Sequence, residues 1–390
     1  MSAPNAGGRA APIAVVSHEA SRTGAPIVLL NLWRELTLTG RWKPTFLCMT
    51  GGPLVDEFRR VGSTTVAPGS GRVAHALQRR LPEGLERSRQ EILMRRWLRR
   101  QPRPAAVYLN TIAVGHLAAV ARREGIPVVT HVHELEYMLS HGVAADVVST
   151  AIEASDLLIA AAEGVRENLV ARHGADSARV VTVRESIPLQ IPPSDVREPQ
   201  RHALGVGEDE IVVLGAGTAE WRKGADLFVQ VAIRALRSQP KLRFVWVGHV
   251  RPEDLARYQH DLRLGGAQDR VAFVGESARP GDYFVAADIF CLTSREDPYP
   301  LVMLEAAAAG LPVVGFAGSG GVEEFVSPGG GVVVEYLDVE AMAIAIDRLA
   351  GDDHKRAGVA EIARGSAQGH SVMRAADAVE AVLARVVKGG

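Results

Sequence analysis

EIVVLGAGTAEWRKGADLFVQVAIRALRSQPKLRFVWVGH, residues 210–249, sets the architecture of the chain. It opens with an apolar run, EIVVLGAG (210–217), turns at glycine, enters a helix near Gly224 and closes with a second apolar run, LRFVWVGH (242–249). Neither run alternates polar with apolar residues, which is how strands covered on both faces of a parallel sheet read. Parallel neighbours need a crossover of about a dozen residues or more, and the interval supplies one. The stretch is therefore a βαβ unit.

The same scheme repeats on either side. Downstream come RVAFVG (270–275), DIFCLTS (288–294), LPVVGFA (311–317) and GGVVVEY (330–336). Upstream come PIAVVSH (12–18), PTFLCMT (44–50), AAVYLNT (105–111), PVVTHVH (127–133), DLLIAA (156–161) and VVTVRES (180–186). Two consecutive α/β series of about six strands each follow, hence two Rossmann-like doubly wound parallel-sheet domains. Between them IPLQIPPSDVREPQ (187–200) holds four prolines and no periodicity, and reads as a linker. The expected division is a tail over 1–11, a first domain over 12–186, the linker, a second domain over 201–369 and a C-terminal helix over 370–390. The helical pattern SVMRAADAVEAVLARVV (371–387) leaves two placements open: capping the second domain, or crossing back to brace the first. In such folds ligands bind outside the carboxyl ends of the strands, so the chemistry is expected between the two domains, across a cleft.

Composition narrows the function. Of 390 residues, 44 are Lys or Arg and 45 are Asp or Glu, a net charge of −1, which gives no general attraction for nucleic acid. Two cysteines, Cys48 and Cys291, make neither a disulfide framework nor a zinc cluster. No run approaches the roughly 20 apolar residues that span a bilayer, and the first eleven residues lack the apolar core of a signal peptide. A cytoplasmic location is expected, with peripheral contact at the inner membrane face as an alternative. That alternative rests on residues 79–103, where nine arginines and three glutamates interleave with Leu93, Met94, Trp97 and Leu98. Such a helix either docks on an anionic membrane or packs its apolar stripe and leaves a solvated basic face.

The strongest chemical signal is SREDPYPLVMLEAAAAGLPVVGF (294–316). A strand ends near Thr293. A loop carries Glu296 and Asp297. A helix starts near Pro300, where proline suits the first turn and the free N–H groups make an anion site. Glu305 stands eight residues after Asp297. Two carboxylates so spaced suit the two ends of a diphosphate-bearing ligand, because a carboxylate accepts two charge-assisted hydrogen bonds from a diol. In GAGTAEWRKGADLF (215–228), Gly217 permits a tight turn and Arg222 and Lys223 precede a helix, an arrangement suited to pyrophosphate.

D-P-Y-P-L-V-M-L-E-A (297–306), followed by A-G-L-P-V-V, resembles the acid-x7-Glu signature of retaining glycosyltransferases of family four, which have the GT-B fold. The resemblance implies that Asp297 holds the donor sugar and Glu305 the ribose. Where the family often has Gly-Phe-Gly, this chain has Pro298-Tyr299-Pro300, so Tyr299 and Leu301 are expected to supply the donor contacts. Lys223-Gly224 resembles the family's Lys-Gly step, whose lysine contacts donor phosphate. The family's preceding arginine is replaced by Gly217 or Thr218, and Arg222 is the candidate substitute. The loop with Ser21, Thr23 and Gly24 resembles one facing the donor phosphates. His133 aligns with the family's active-site histidine, with His131 as runner-up. The loop with Gly318, Gly320 and Gly321 resembles a phosphate-facing glycine loop. Val274–Ser277 is the positional candidate for the base.

The function so implied is transfer of a sugar from a nucleotide diphosphate sugar to a hydroxyl of a sugar, glycolipid or small molecule. The anomeric configuration is retained by same-face attack, with no covalent intermediate, no cofactor and no bound metal. His131 and His133 alone offer no further metal-ligand spacing. Two alternatives stay open: a nucleotide-sugar epimerase of GT-B fold, and a non-catalytic sugar-nucleotide binding protein. A nicotinamide dehydrogenase is disfavoured, since no G-x-G-x-x-G fingerprint follows the first strand.

Overall fold

β-branched apolar runs too short for helices and too apolar for a sheet face become parallel strands. The computed structural model describes residues 10–68, 83–189 and 191–389. It divides into two units, the first made of residues up to Ser186 together with Val372–Gly390, the second of Ile187–Ser371. The expected tail lies almost wholly outside the described residues, and the first strand already begins at Ala11.

The first unit carries β1 (Ala11–Ser17), β2 (Trp42–Cys48), β3 (Ser63–Val66), β4 (Ala106–Asn110), β5 (Val128–Val132), β6 (Leu157–Ala160) and β7 (Val180–Thr182). All described pairings are parallel, in the order β3-β2-β1-β4-β5-β6-β7. The order reverses between β1 and β4, so the loops after these two strands flank the switch point. The strand missing from the sequence reading is β3. Its sequence, STTV, is short, polar and half exposed on the sheet edge, so it carries no buried apolar run.

The second unit carries β8 (Ile211–Ala216), β9 (Leu242–Val247), β10 (Val271–Gly275), β11 (Ile289–Leu292), β12 (Val313–Phe316) and β13 (Gly331–Val334), in the order β10-β9-β8-β11-β12-β13. Here the reversal falls between β8 and β11. The loops after them are the two that hold Lys223 and Asp297.

The C-terminal helix Val372–Gly389 belongs to the first unit. Ala376, Val379, Val382, Leu383 and Val386, spaced three and four apart, join one core with Leu29, Trp33, Leu36, Tyr108 and Ile159. Of the two placements the sequence left open, bracing the first domain is the one adopted. The proline-rich stretch 187–200 belongs to the second unit, apart from Gln190, which lies outside the described residues. The helix Arg197–Ala203 begins inside it, with Pro199 in the first turn where its missing N–H costs nothing. Arg197 and Arg201 then fasten it to Asp288, at 2.6 and 3.0 Å.

The basic segment is described from residue 83 onward, as the helix Glu83–Leu98; residues 79–82 lie outside the described residues. Met94, Trp97 and Leu98 are buried in a core with Leu117 and Val120. Four of the arginines meet carboxylates: Arg87 with Asp146, Arg89 with Glu86, and Arg95 and Arg99 with Glu124. Packing thus accounts for the apolar stripe. Leu85, Ile92 and Arg96 are exposed on this helix. Among the described residues no helix is long and apolar enough to cross a membrane.

Candidate active site

In the second unit, two loops at the switch point are laced together. After β8 the chain makes a short turn over Trp221–Lys223 and enters the helix Ala225–Ser238 through Gly224. Gly224 has φ 68°, and a Cβ there would stand 2.0 Å from the carbonyl oxygen of Thr293. Only glycine lets this turn approach the end of β11 so closely. The Arg295 N–H donates to the carbonyl of Arg222 (2.7 Å), and the Arg222 guanidinium donates to the carbonyl of Glu296 (2.9 Å). Arg295 adds a bidentate pair with Asp226 (2.8 and 2.6 Å) and lies 5.2 Å over the Trp221 ring. Sequence reasoning passed over Arg295, although its place three residues after the strand end was a signal.

This lacing brings Lys223, Arg222 and Asp297 together. The Lys223 ammonium donates to Asp297 Oδ2, and Arg222 Nη1 stands 3.5 Å from Asp297 Oδ1. The Ser294 hydroxyl donates to the same Oδ2 from 3.4 Å. Asp297 is buried at 7% exposure, and burial pushes its carboxyl up; Lys223 and Arg222 outweigh this and hold it below the ordinary value. Glu220 also stands 3.5 Å from the Arg222 guanidinium, so two cations meet two carboxylates, and the Lys223 and Arg222 donors are held in place where a diphosphate can take them from their acids. The stem of Lys223 runs past Gly217, where an added Cβ would lie 3.6 Å from it.

Asp297 also pairs with the glycine loop: its N–H donates to the carbonyl of Ser319 (2.7 Å), and Asp297 and Gly320 form a parallel bridge. Tyr299 is buried at 4% exposure, directly beneath Gly321, where a Cβ would meet its ring at 2.2 Å. Its hydroxyl stands 3.1 Å from His370 Nε2. The phenol ring is thus a packing element, which leaves the backbone of Tyr299 as its route to a donor. Pro300 caps the helix Leu301–Ala308, whose first N–H groups have no acceptor within the helix.

Glu305 sits on that helix. Its side chain is open to solvent, yet enough protein surrounds the carboxyl to raise it to about 7 by desolvation. No hydrogen-bond partner meets the carboxylate among the described residues, so it is a poised acceptor for hydroxyls. Thr218 is exposed after β8, and Val274 lies in the half-exposed edge strand β10.

In the first unit, the loop after β1 is held together by its own side chains. Ser21 and Thr23 turn their hydroxyls inward and donate to Glu19 Oε1, at 2.5 and 3.1 Å. With His18 Nε2 at 3.5 Å, the Glu19 carboxyl falls to about 2, the His18 contact leading and burial opposing. The loop presents a fixed anion, with Gly24 exposed as the first residue of the helix Gly24–Leu38.

His133 stands just beyond β5, with side-chain exposure of 8%. Its Nδ1 lies 2.5 Å from Glu185 Oε1 and its Nε2 2.9 Å from Asn110 Oδ1. Its N–H donates to Glu134 Oε2 (2.8 Å). Glu134 in turn holds the loop after β4. It accepts the Thr111 hydroxyl and the Ile112 N–H, and Thr111 is kept at φ 94°, a region few non-glycine residues adopt. The His131 ring stacks 4.0 Å from that of His133 and its Nδ1 meets the Tyr108 hydroxyl at 2.6 Å. Glu185 and Asn110 were not singled out from the sequence. Both close strand runs, at the ends of VVTVRES and AAVYLNT, which is the signal that marks them. Among the described residues, no three or more His, Cys, Asp or Glu side chains come together as a metal site.

Residues 22–190 match the family described as Glycosyltransferase Family 4, and residues 208–352 match Glycosyl transferases group 1. D-inositol 3-phosphate glycosyltransferase 1 of Catenulispora acidiphila is 30% identical over 296 residues, 70% of this chain and 70% of that protein. The chain belongs to glycosyltransferase family 4. The D-inositol 3-phosphate glycosyltransferase of Kribbella flavida is 31% identical over 279 residues, and the chain spans 65% of that relative's length. Among solved structures, sucrose-phosphate synthase from Thermosynechococcus elongatus superposes with a TM-score of 0.80 at 20% identity, over 97% of this chain and all of the other. Anabaena HepE in complex with UDP-glucose gives 0.78 at 19%, over 96% of this chain and all of the other. These likenesses show the fold, GT-B with two Rossmann-like domains, of the family 4 chain.

Proposed function

We propose that this family 4 chain is a retaining glycosyltransferase that moves a sugar from a nucleotide diphosphate sugar to an acceptor hydroxyl. One observation carries the reading: at the switch point of the second sheet, Lys223 and Arg222 converge on buried Asp297, and Glu305 follows on the next helix with a carboxylate that no group among the described residues uses. The two cations offset charge on the leaving diphosphate, which lowers the barrier as developing charge is met by groups already in place. The amides of the helix Leu301–Ala308 add to this. Asp297 orients the donor sugar. Glu305 accepts the ribose hydroxyls. The leaving phosphate oxygen takes the acceptor's proton, and attack comes from the same face. No enzyme nucleophile and no metal enters the reaction.

The donor is found by thermal stabilisation. A ligand that binds the folded state at a hundred times its Kd stabilises by about 2.7 kcal/mol. Among UDP-, GDP-, ADP- and dTDP-sugars, one nucleotide class is expected to raise Tm by several degrees. No response to any of them, or a response to NAD alone, overturns the proposal. Product analysis separates transfer from epimerisation, since an epimerase converts the sugar nucleotide with no acceptor present. A binding protein does neither.

The acceptor is a sugar, glycolipid or small molecule, and contact with a membrane is part of the same proposal. Leu85 and Ile92, exposed on the same helix as exposed Arg96, support such contact. With vesicles containing anionic lipid, the protein is expected to co-float at low salt and to be released by Leu85→Ser with Ile92→Ser. Absence of flotation makes the helix a packing element only.

A further inference from the structure

The cluster around His133 has a proton count that geometry fixes. The Asn110 side-chain N–H donates to the carbonyl of Ala25 (3.0 Å), so the amide oxygen is the atom turned toward His133 Nε2. An oxygen of this kind only accepts, and Nε2 must therefore carry a proton. Nδ1 faces a carboxylate oxygen, Glu185 Oε1, at 2.5 Å. One proton lies between these two atoms, and imidazole, the stronger base of the pair, takes it. A histidine whose two ring nitrogens both donate is an imidazolium.

The surroundings agree with this. From β4, the Tyr108 hydroxyl meets His131 Nδ1, and the phenol stays neutral because burial and then the charge of Glu185 raise its pKa. From β5, His131 is pushed down by burial and then by the charge of His133, so the stacked pair is one neutral ring and one cation. From the loops come Glu134, bonded to the His133 N–H, and Glu185. Burial pulls His133 down, and the charge and hydrogen bond of Glu185, with Glu134 behind them, raise it past its ordinary value.

We propose that Glu185 and Asn110 are positioning residues that hold His133 as a fixed cation at the carboxyl end of β5, so that it serves sugar transfer as a standing positive charge and not as a proton acceptor. The kinetic part rests on the glycosyltransferase reading. The protonation state does not. The pair's contribution to stability is complete below pH of about 6.5 and is lost as pH rises through the raised value in the folded protein.

Two measurements test it. In the whole protein with 15N-labelled histidine, the His133 signal is identified by its loss in His133→Gln. Both of its ring nitrogens are expected to be protonated at pH 8. A neutral ring there overturns the proposal, whatever the enzyme's activity. The second measurement is kcat/KM between pH 6 and 9. Glu185→Gln is expected to lose at least about tenfold at pH 8 and to recover progressively as pH falls toward 6, one unit of pH being worth tenfold in the protonated fraction above the ring's pKa. Glu185→Asp is expected to keep the wild-type profile. An equal loss at every pH makes Glu185 merely structural and sinks the positioning role. If Glu185→Gln does not fold, the wild-type spectrum still decides. If no sugar nucleotide is consumed at all while the ring is doubly protonated, the transferase reading fails and the assignment of charge stands.

Discussion

Replacing Lys223 with alanine is expected to lower sugar transfer about a thousandfold and to abolish the thermal shift given by the donor. The lysine is one of two cations at the acid loop, and a single preorganised group that meets developing charge is worth about 10²–10³ in kcat. Its loss is compounded because Asp297 is then left with Arg222 alone, 3.5 Å away. Two effects must be separated. The first is stability. Removing one partner of a buried pair costs up to about 3–5 kcal/mol, and here less, since Arg222 remains. The second is catalysis, read as kcat/KM at a temperature well below the variant's Tm. Lys223→Arg keeps the charge but puts a planar fork where the stem now passes Gly217, so partial activity is expected. If Lys223→Ala keeps wild-type kcat/KM, the cluster is an ordinary salt bridge. The pair's stability also has a pH signature. Asp297 titrates below its ordinary value, so its contribution is present above about pH 4 and is lost as pH falls toward the depressed value.

The same residues show how far a sequence carries. The βαβ rhythm was plain because strands buried on both faces must be apolar throughout, and every apolar run matched a strand. β3 escaped because an edge strand is under no such demand. The loop lysine, arginine and acid could be named individually, since each lies in the loop that follows a strand run. Their convergence could not, because it depends on Gly224 admitting the turn against Thr293 and on Arg295 tying the two loops together. The first unit was harder to read. Ser21 and Thr23 look like phosphate ligands in isolation, and only the structure shows that Glu19 takes their hydroxyls. His133 looked like a lone active-site histidine. Its partners lie 23 and 52 residues away in the chain, and no local spacing announces them.

Affinity for the sugar nucleotide is expected to rise about tenfold between pH 6 and pH 8, and Glu305→Gln is expected to flatten that dependence. Glu305 has its carboxyl raised to about 7 by desolvation, with no cation among the described residues to offset it. Near pH 6 about a tenth of the molecules carry the ionised form, near pH 8 about nine-tenths, and the apparent Kd scales with the competent fraction. Only the ionised form accepts two charge-assisted bonds from a ribose diol. A sugar nucleotide is the right probe because both of its phosphates stay singly ionised across this range, whereas the terminal phosphate of free UDP titrates nearby. Binding should also release protons, largest near pH 6, and calorimetry in buffers of different ionisation enthalpy counts them. The apoprotein carries the opposite trend. Between the unfolded value of about 4.5 and 7 the folded state holds the extra proton, so Glu305 costs stability progressively as pH rises through that window and no further above it. Donor binding and folding thus pull this carboxyl in opposite directions. Glu305→Gln should leave a protein at least as stable as wild type above pH 7 and weaker in donor affinity there. A variant that loses both, or a wild type whose affinity is level from pH 6 to 8, removes Glu305 from the ribose subsite.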